Sequence, residues 1–350
     1  MHQLCQRYRV DDPRPPHAHH AVGVDDEGLG HLGYTEVDEH LTVLVGEHRA
    51  GLEDADADWS AEKMAETVAR IAERGDAARG ELVRLAATWR AVLERRAYPP
   101  AVRQVLGEAT AAAAVLSATI KFDGLLTLQI QASGPLRLVV VQVTSERTLR
   151  ALARWDGEPE PAPLRDLCGD GTLTMTVDPG RDREPYQGMV SLRGDTLAEA
   201  LEDYFARSEQ LPTRIHLAAD ERVAAGLLLQ RLPGADADAD GWNRLGALAA
   251  TLQPGELLEL DAPVLLRRLF HEEDVRLFEP DAFRYRCTCS RERTAAMLRT
   301  LSEDELRQTL DEQGAIHVDC EFCGHRHAFD AIDIAGLLSG VAPDASTARH

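Results

Sequence analysis

The chain has 350 residues, 44% of them hydrophobic, enough for a sizeable core spread over two or three domains. Its 59 acidic residues outweigh 38 basic ones, and the net charge of −21 argues against a general nucleic-acid binder, because phosphate contact needs basic patches. Residues 1–16 carry charges and prolines without an apolar segment, so they read as no signal peptide, and no apolar run approaches the roughly 18 residues of a membrane span.

Residues 1–63 stand apart in composition. They hold Pro13, Pro15 and Pro16, the histidines His17, His19 and His20, an Asp/Ala run at 53–58, and one apolar stretch at 41–45. Weak or independent structure is expected there, with the histidines as a solvated tail rather than a metal site. From Met64 the texture changes. A strand is expected at 81–85, a short helix at 88–96 before Pro99 and Pro100, and a long alanine-rich helix at 101–120 whose small residues suit close packing against a sheet. Lys121-Phe-Asp-Gly124 reads as a turn; with no nucleophile or phosphate loop nearby, Glu108, Lys121 and Asp123 read as structural contacts. Leu126, Leu128 and Ile130 alternate with polar residues and face a second strand at 136–143, which predicts a hairpin.

Further strands are expected near 148–155, 172–177, 186–193, 214–217 and 223–232, with a helix capped by Asp195-Thr196 and faced by Leu197, Leu201, Tyr204 and Phe205. Many adjacent strands with few crossover helices predict an α+β domain built mainly on antiparallel sheet. The run 233–241 marks a boundary. Beyond it Trp242, Leu245, Leu248 and Leu252 form one amphipathic face, which Pro254-Gly255 stops, and Leu265, Leu266, Leu269 and Phe270 form another. Helices this short need a surface to rest on. A strand at 275–278 leads towards the cysteines.

Four of the six cysteines form two close pairs, Cys287-Thr-Cys289 and Cys320-Glu-Phe-Cys323, followed by Gly324. Two such pairs suit one tetrahedral zinc ion, and the predominance of cysteine in a metal pattern suits a reducing, cytoplasmic compartment. Ser290 opens an expected helix to about Leu301, and Ser302 with Glu305 forms a capping box for a helix ending at Gly314. Strands at 316–319 and 326–329 flank the second pair. His325 and His327 are placed on the strand surface, Cys168 in a buried or loop position, and Cys5 in the N-terminal segment. From the residues alone the four thiols fit an ordinary structural zinc site as well as a redox-active one.

From about Met64 the chain carries Arg79-Gly-Glu-Leu-Val83, Tyr98-Pro99, Leu106-Gly-Glu108, Lys121-Phe-Asp-Gly124, Gly134-Pro135, Tyr186-Gln-Gly188, Glu202-Asp-Tyr-Phe205, Ser208-Glu-Gln-Leu-Pro-Thr213, His271-Glu-Glu273, Cys287-Thr-Cys-Ser-Arg-Glu-Arg293 and Cys320-Glu-Phe-Cys-Gly324 in this order. On these stretches it resembles the redox-regulated thirty-three-kilodalton heat-shock chaperone family of bacteria. Residues 1–63 have no counterpart, so Met64 is the expected natural start. The resemblance implies a chaperone core domain over 64–234, a metastable helical linker over 235–282, a redox-switch zinc domain over 283–332 and a tail over 333–350.

It implies a non-enzymatic, ATP-independent holdase for unfolding client proteins. One Zn²⁺ is held by Cys287, Cys289, Cys320 and Cys323 in the reduced monomer. Oxidation forms disulfides Cys287–Cys289 and Cys320–Cys323, the metal is lost, zinc domain and linker unfold, and dimers bind clients that later pass to ATP-driven chaperones. The exposed linker residues Trp242, Leu245, Leu248, Leu265, Leu269 and Phe270 are then the candidate client-binding patch. Two residues along a strand span about 6.6 Å where a disulfide prefers about 5.5–6 Å, so the Cys287–Cys289 bond is expected to need a local kink, to carry strain and to be the more readily reduced of the two. The competing readings are a constitutive zinc-ribbon binding module and a thiol oxidoreductase.

Overall fold

The computed structural model describes residues 66–73, 78–120, 122–180, 184–232, 239–278 and 280–339. The expectations for 1–63 and for the extreme C-terminal tail lie outside them. Two compact units result, one of residues 66–289 with His317–His327, the other of Ser290–Ile316 with 328–339.

In chain order the first unit runs β1 (Glu66–Glu73), β2 (Ala78–Leu85), α1 (Ala87–Leu93), α2 (Pro100–Thr119), β3 (Leu125–Ala132), β4 (Leu136–Thr144), β5 (Thr148–Trp155), α3 (Leu164–Cys168), β6 (Gly171–Asp178), β7 (Tyr186–Ser191) and α4 (Leu197–Tyr204). A π-helical turn follows at Phe205–Glu209, then β8 (Thr213–Ala219), β9 (Ala224–Arg231), α5 (Ala239–Ala249), α6 (Pro254–Glu259), α7 (Ala262–Phe270), β10 (Val275–Leu277), β11 (Asp281–Ala282) and β12 (Arg284–Tyr285). One sheet has the order β10-β1-β2-β9-β8, with β11 also on β1; the other has the order β12-β5-β4-β3-β6-β7. Apart from β12, which joins β5 in parallel, the pairings within both sheets are antiparallel. The expected α+β class and the β3–β4 hairpin are present.

Helix α2 holds the two sheets together. It packs on β2, β8 and β9 of one and on β3, β4 and β5 of the other. A helix covered on all sides needs small side chains, and Ala109 and Ala111 to Ala114 are fully buried. Gly107 marks the closest approach: a Cβ there would lie 2.3 Å from Ala219 Cβ and 3.0 Å from the Trp89 ring. Its neighbour Glu108 borders a cavity of about 180 Å³ shared with His216, Thr196, Gln253 and Leu257. Burial pushes the Glu108 carboxyl up to about 7, against the opposing hydrogen bond from Gln104 at 3.1 Å. A folded pKa above the unfolded value means stability that is present at low pH and lost as pH rises through about 7. Glu108→Gln is therefore expected to match the native protein at about pH 4, below the unfolded value of 4.5, and to exceed it by about 2 kcal/mol at pH 8. Thermal melts across that range check it; a constant gap between the two proteins would refute the assignment.

The first sheet is covered on both faces, which explains its sequence. On β2, Val83 and Leu85 face α2, while Ala78 and Leu82 face the other way; on β9, Ala224 and Leu228 face α2, while Ala225, Leu227 and Leu229 do not. Helices α5, α6 and α7 cover that second face. Trp242, Leu245, Leu265, Leu269 and Phe270 are buried there and Leu248 is partly buried, so all six candidate client-binding residues are packed in this structure. Pro254 does more than end α5. It occupies the first turn of α6, where its missing N–H costs nothing, and the Gln253 backbone N–H donates to Glu256 Oε2 at 2.9 Å. Strand β1 was not expected from sequence, because Glu-Thr-Val-Ala-Arg-Ile-Ala-Glu has no apolar run and places few β-formers together.

The second unit holds α8 (Arg291–Leu298), α9 (Glu303–Gln313) and α10 (Ala331–Ser339). Ser290 caps α8, accepting from the Arg293 N–H at 3.2 Å; the Ser302–Glu305 box opens α9, and Gly314 closes it at φ +75°. Helix α10 was missed in the sequence. The hairpin β13 (Ile316–Asp319) and β14 (Arg326–Phe329) carries the Cys320–Cys323 turn.

Candidate metal centre

Each cysteine pair is positioned by a different device. Strand β12 joins the edge of the second sheet, parallel to β5, with Arg284 opposite Thr148 and Tyr285 opposite Leu149. The Arg286 N–H donates to Leu149 O at 3.0 Å, and Cys287 follows at once. The second pair sits on a tight turn. Gly324 N–H donates to Cys320 O at 2.7 Å, Cys320 N–H donates to His325 O at 2.9 Å, and Gly324 adopts φ +71°, which favours glycine. Tyr285 joins the two devices through its hydroxyl, which donates to Phe322 O at 3.2 Å.

All four Sγ atoms lie within 4.8 Å of one another; Cys287 and Cys320 are 3.6 Å apart, Cys289 and Cys323 3.4 Å. A tetrahedral zinc site with bonds of about 2.3 Å places its sulfurs about 3.8 Å apart, so the arrangement fits. The electrostatics agree. The hydrogen bond with Cys320 pulls the Cys287 thiol down to about 4, and N–H groups at Phe322 and Cys323 face Cys320 Sγ. Once Cys287 carries charge, its neighbours resist losing their protons: burial and the hydrogen bond with Cys323 push Cys289 up to about 12, and the hydrogen bond with Cys287 pushes Cys320 up as well. Four crowded thiolates need a cation, and a divalent one meets that need.

Among the described residues these four cysteines are the only such cluster. Cys168 is buried in the core, where burial pushes its thiol up to about 11. His325 and His327 meet edge to face with ring centroids 4.5 Å apart and do not join the sulfurs, and His327 is buried where a surface position was expected. Residues 286–290 pair with no strand, so Cys287 and Cys289 do not sit in a sheet ladder as expected.

Sequence reading missed what holds the turn to the sheet. Phe322 is buried on Val140 and Leu152 of β4 and β5, with Leu138, Cys287 and Cys320 around it. Arg154 donates twice to Glu321 Oε2, from Nε at 3.1 Å and from Nη2. The signal was present: on β5, Arg150, Leu152 and Arg154 share the face away from the core.

A family model described as Hsp33 protein matches residues 66–330. The chain belongs to the Hsp33 family. Its Hsp33 relatives include the 33 kDa chaperonin of Nitrosococcus oceani, 50% identical over 274 residues (78% of this chain, 94% of that one), and that of Azotobacter vinelandii, 51% identical over 281 residues with the same coverage. The crystal structure of the Thermotoga maritima Hsp33 homologue superposes with a TM-score of 0.69 at 26% identity, covering 79% of this chain and 98% of that one. Membership of the Hsp33 family makes the chain a molecular chaperone. No helix among the described residues is long and apolar enough to cross a membrane.

Proposed function

We propose that this chaperone is an ATP-independent holdase whose client binding is gated by the redox state of Cys287, Cys289, Cys320 and Cys323. The observation that carries the reading is the meeting of all four sulfurs, from two distant parts of the chain, in one ligand-sized cluster. A bound zinc ion would keep the four thiolates deprotonated and close together. Each pair, Cys287–Cys289 and Cys320–Cys323, then gives up two electrons to one hydrogen peroxide, forming an S–S bond and two hydroxide ions. Both disulfides together remove all four ligands.

Without them the switch segment (283–332) loses its fastener, and the linker (235–282) loses part of its support. The apolar residues Trp242, Leu245, Leu265, Leu269 and Phe270, buried in this structure, and Leu248, partly buried, then become surface for unfolding clients over a core domain of 64–234. Homodimers form in the oxidised state, the reduced chain is a monomer, and clients pass on to ATP-driven foldases in the cytoplasm. Nucleic acid has no place in this reading, nor has enzymatic turnover.

One assay in two states tests it. Light scattering of a heat-denatured client is followed with reduced, zinc-loaded protein and with peroxide-treated protein, while a chromogenic chelator reports zinc. Suppression is expected only after oxidation, with one zinc released per chain. Equal suppression in both states would point to a constitutive binding module, and catalytic peroxide consumption with a thiol reductant to an oxidoreductase.

A further inference from the structure

We propose that Arg150 is a positioning residue that couples the charge of the cysteine cluster to docking of the Cys320–Cys323 turn on the second sheet. The inference rests on the redox reading above. The register of β4 and β5 places Val140 opposite Leu152 and Gln142 opposite Arg150 on the face away from the core. The apolar pair receives Phe322. Arg150 is 7% exposed and held in place, its Nε donating to Gln142 Oε1 on the neighbouring strand at 2.7 Å. From there its guanidinium stacks on the Phe322 ring, 4.0 Å from the centroid, and Nη1 reaches to 3.9 Å from Cys287 Sγ. One fixed side chain of the sheet thus touches both halves of the cluster, the aromatic of one pair and a sulfur of the other.

The chemistry of the two states differs in sign. A guanidinium stays charged throughout. Four thiolates around a divalent ion are net anionic and attract it; two disulfides are neutral and do not. Oxidation therefore removes an anionic partner from a largely buried cation, which favours its return to water. Phe322 lies over that cation, so hydration of Arg150 requires the ring to lift from Val140 and Leu152. The redox event at sulfur becomes a mechanical one on the sheet.

Arg150→Met separates this role from simple packing. Methionine keeps apolar volume and removes the charge, so it weakens docking in the reduced state and strengthens it in the oxidised state. Hydrogen exchange of residues 317–327 in the full-length zinc-loaded chain is the readout. In the native protein, exchange should be slow when reduced and fast after peroxide treatment. In Arg150→Met, it should rise about tenfold in the reduced form and fall in the oxidised form, shrinking the redox difference. Arg150→Lys, which keeps the charge, should preserve most of that difference.

Faster exchange of Arg150→Met in both states would show a packing role and overturn the proposal, as would unchanged exchange in both. If the variant does not fold, the Arg150→Lys arm decides: loss of the redox difference in Arg150→Lys overturns the proposal. Absence of any redox difference in the native chain would instead overturn the redox reading on which it rests.

Discussion

Cys323→Ser is expected to purify without zinc and with residues 286–327 open to hydrogen exchange, while the two sheets keep their melting transition. The segment from His317 to His327 costs on the order of 10–20 kcal/mol to order. Its own apolar anchor is Phe322 on Val140 and Leu152, and burying one such ring contributes only about 2–3 kcal/mol. A structural zinc site contributes about 10–16 kcal/mol in small domains, so the metal decides whether the turn is ordered. Removing one of four ligands from sulfurs crowded within 4.8 Å leaves an incomplete site. Metal analysis by mass spectrometry gives the stoichiometry. A full equivalent of zinc in this variant would mean that another ligand serves, and His325 or His327 would be examined next.

Phe270→Ala should activate the chaperone without an oxidant. Phe270 is 2% exposed and packs with Leu265, Leu266 and Leu269 against the sheet face formed by Leu82, Leu227 and Leu229. Truncating a buried phenylalanine costs about 3–5 kcal/mol. Helices α5, α6 and α7 have only 11, 6 and 9 residues, too few to persist unsupported. The loss should therefore appear as local undocking, with exchange across 239–277 faster by about a hundredfold or more. The reduced variant should then suppress client aggregation. Open linker helices with no suppression would show that this face is not the client surface.

The sequence was most legible where one residue type has one use. The two cysteine pairs announced a tetrahedral site, Ser302 and Glu305 announced a helix start, and Gly314 its end. The β3–β4 hairpin was readable because Leu126, Leu128 and Ile130 alternate with residues that are only partly covered. Legibility failed where context overrides composition. Strand β1 has no apolar pattern of its own and is defined by its pairing with β2, β10 and β11. Pro254 read as a stop is also a start, since a proline ends one helix and opens another with equal ease. Cys287 and Cys289 read as strand residues, yet β12 ends at Tyr285.

What the amino-acid sequence determined by itself was the chemistry: four thiols in two pairs, an amphipathic linker and an α+β core, each set by local spacing. Only the tertiary structure decided what those parts touch. It wraps Ala109 and Ala111 to Ala114 between two sheets, lays the linker on the far face of one, and seats Phe322 beside Arg150 on the other. Arg150 and Cys287 are 137 positions apart in the chain, and no local pattern encodes a contact at that distance. It exists because β12 pairs with β5 and brings the sulfur to the sheet edge where the guanidinium is held.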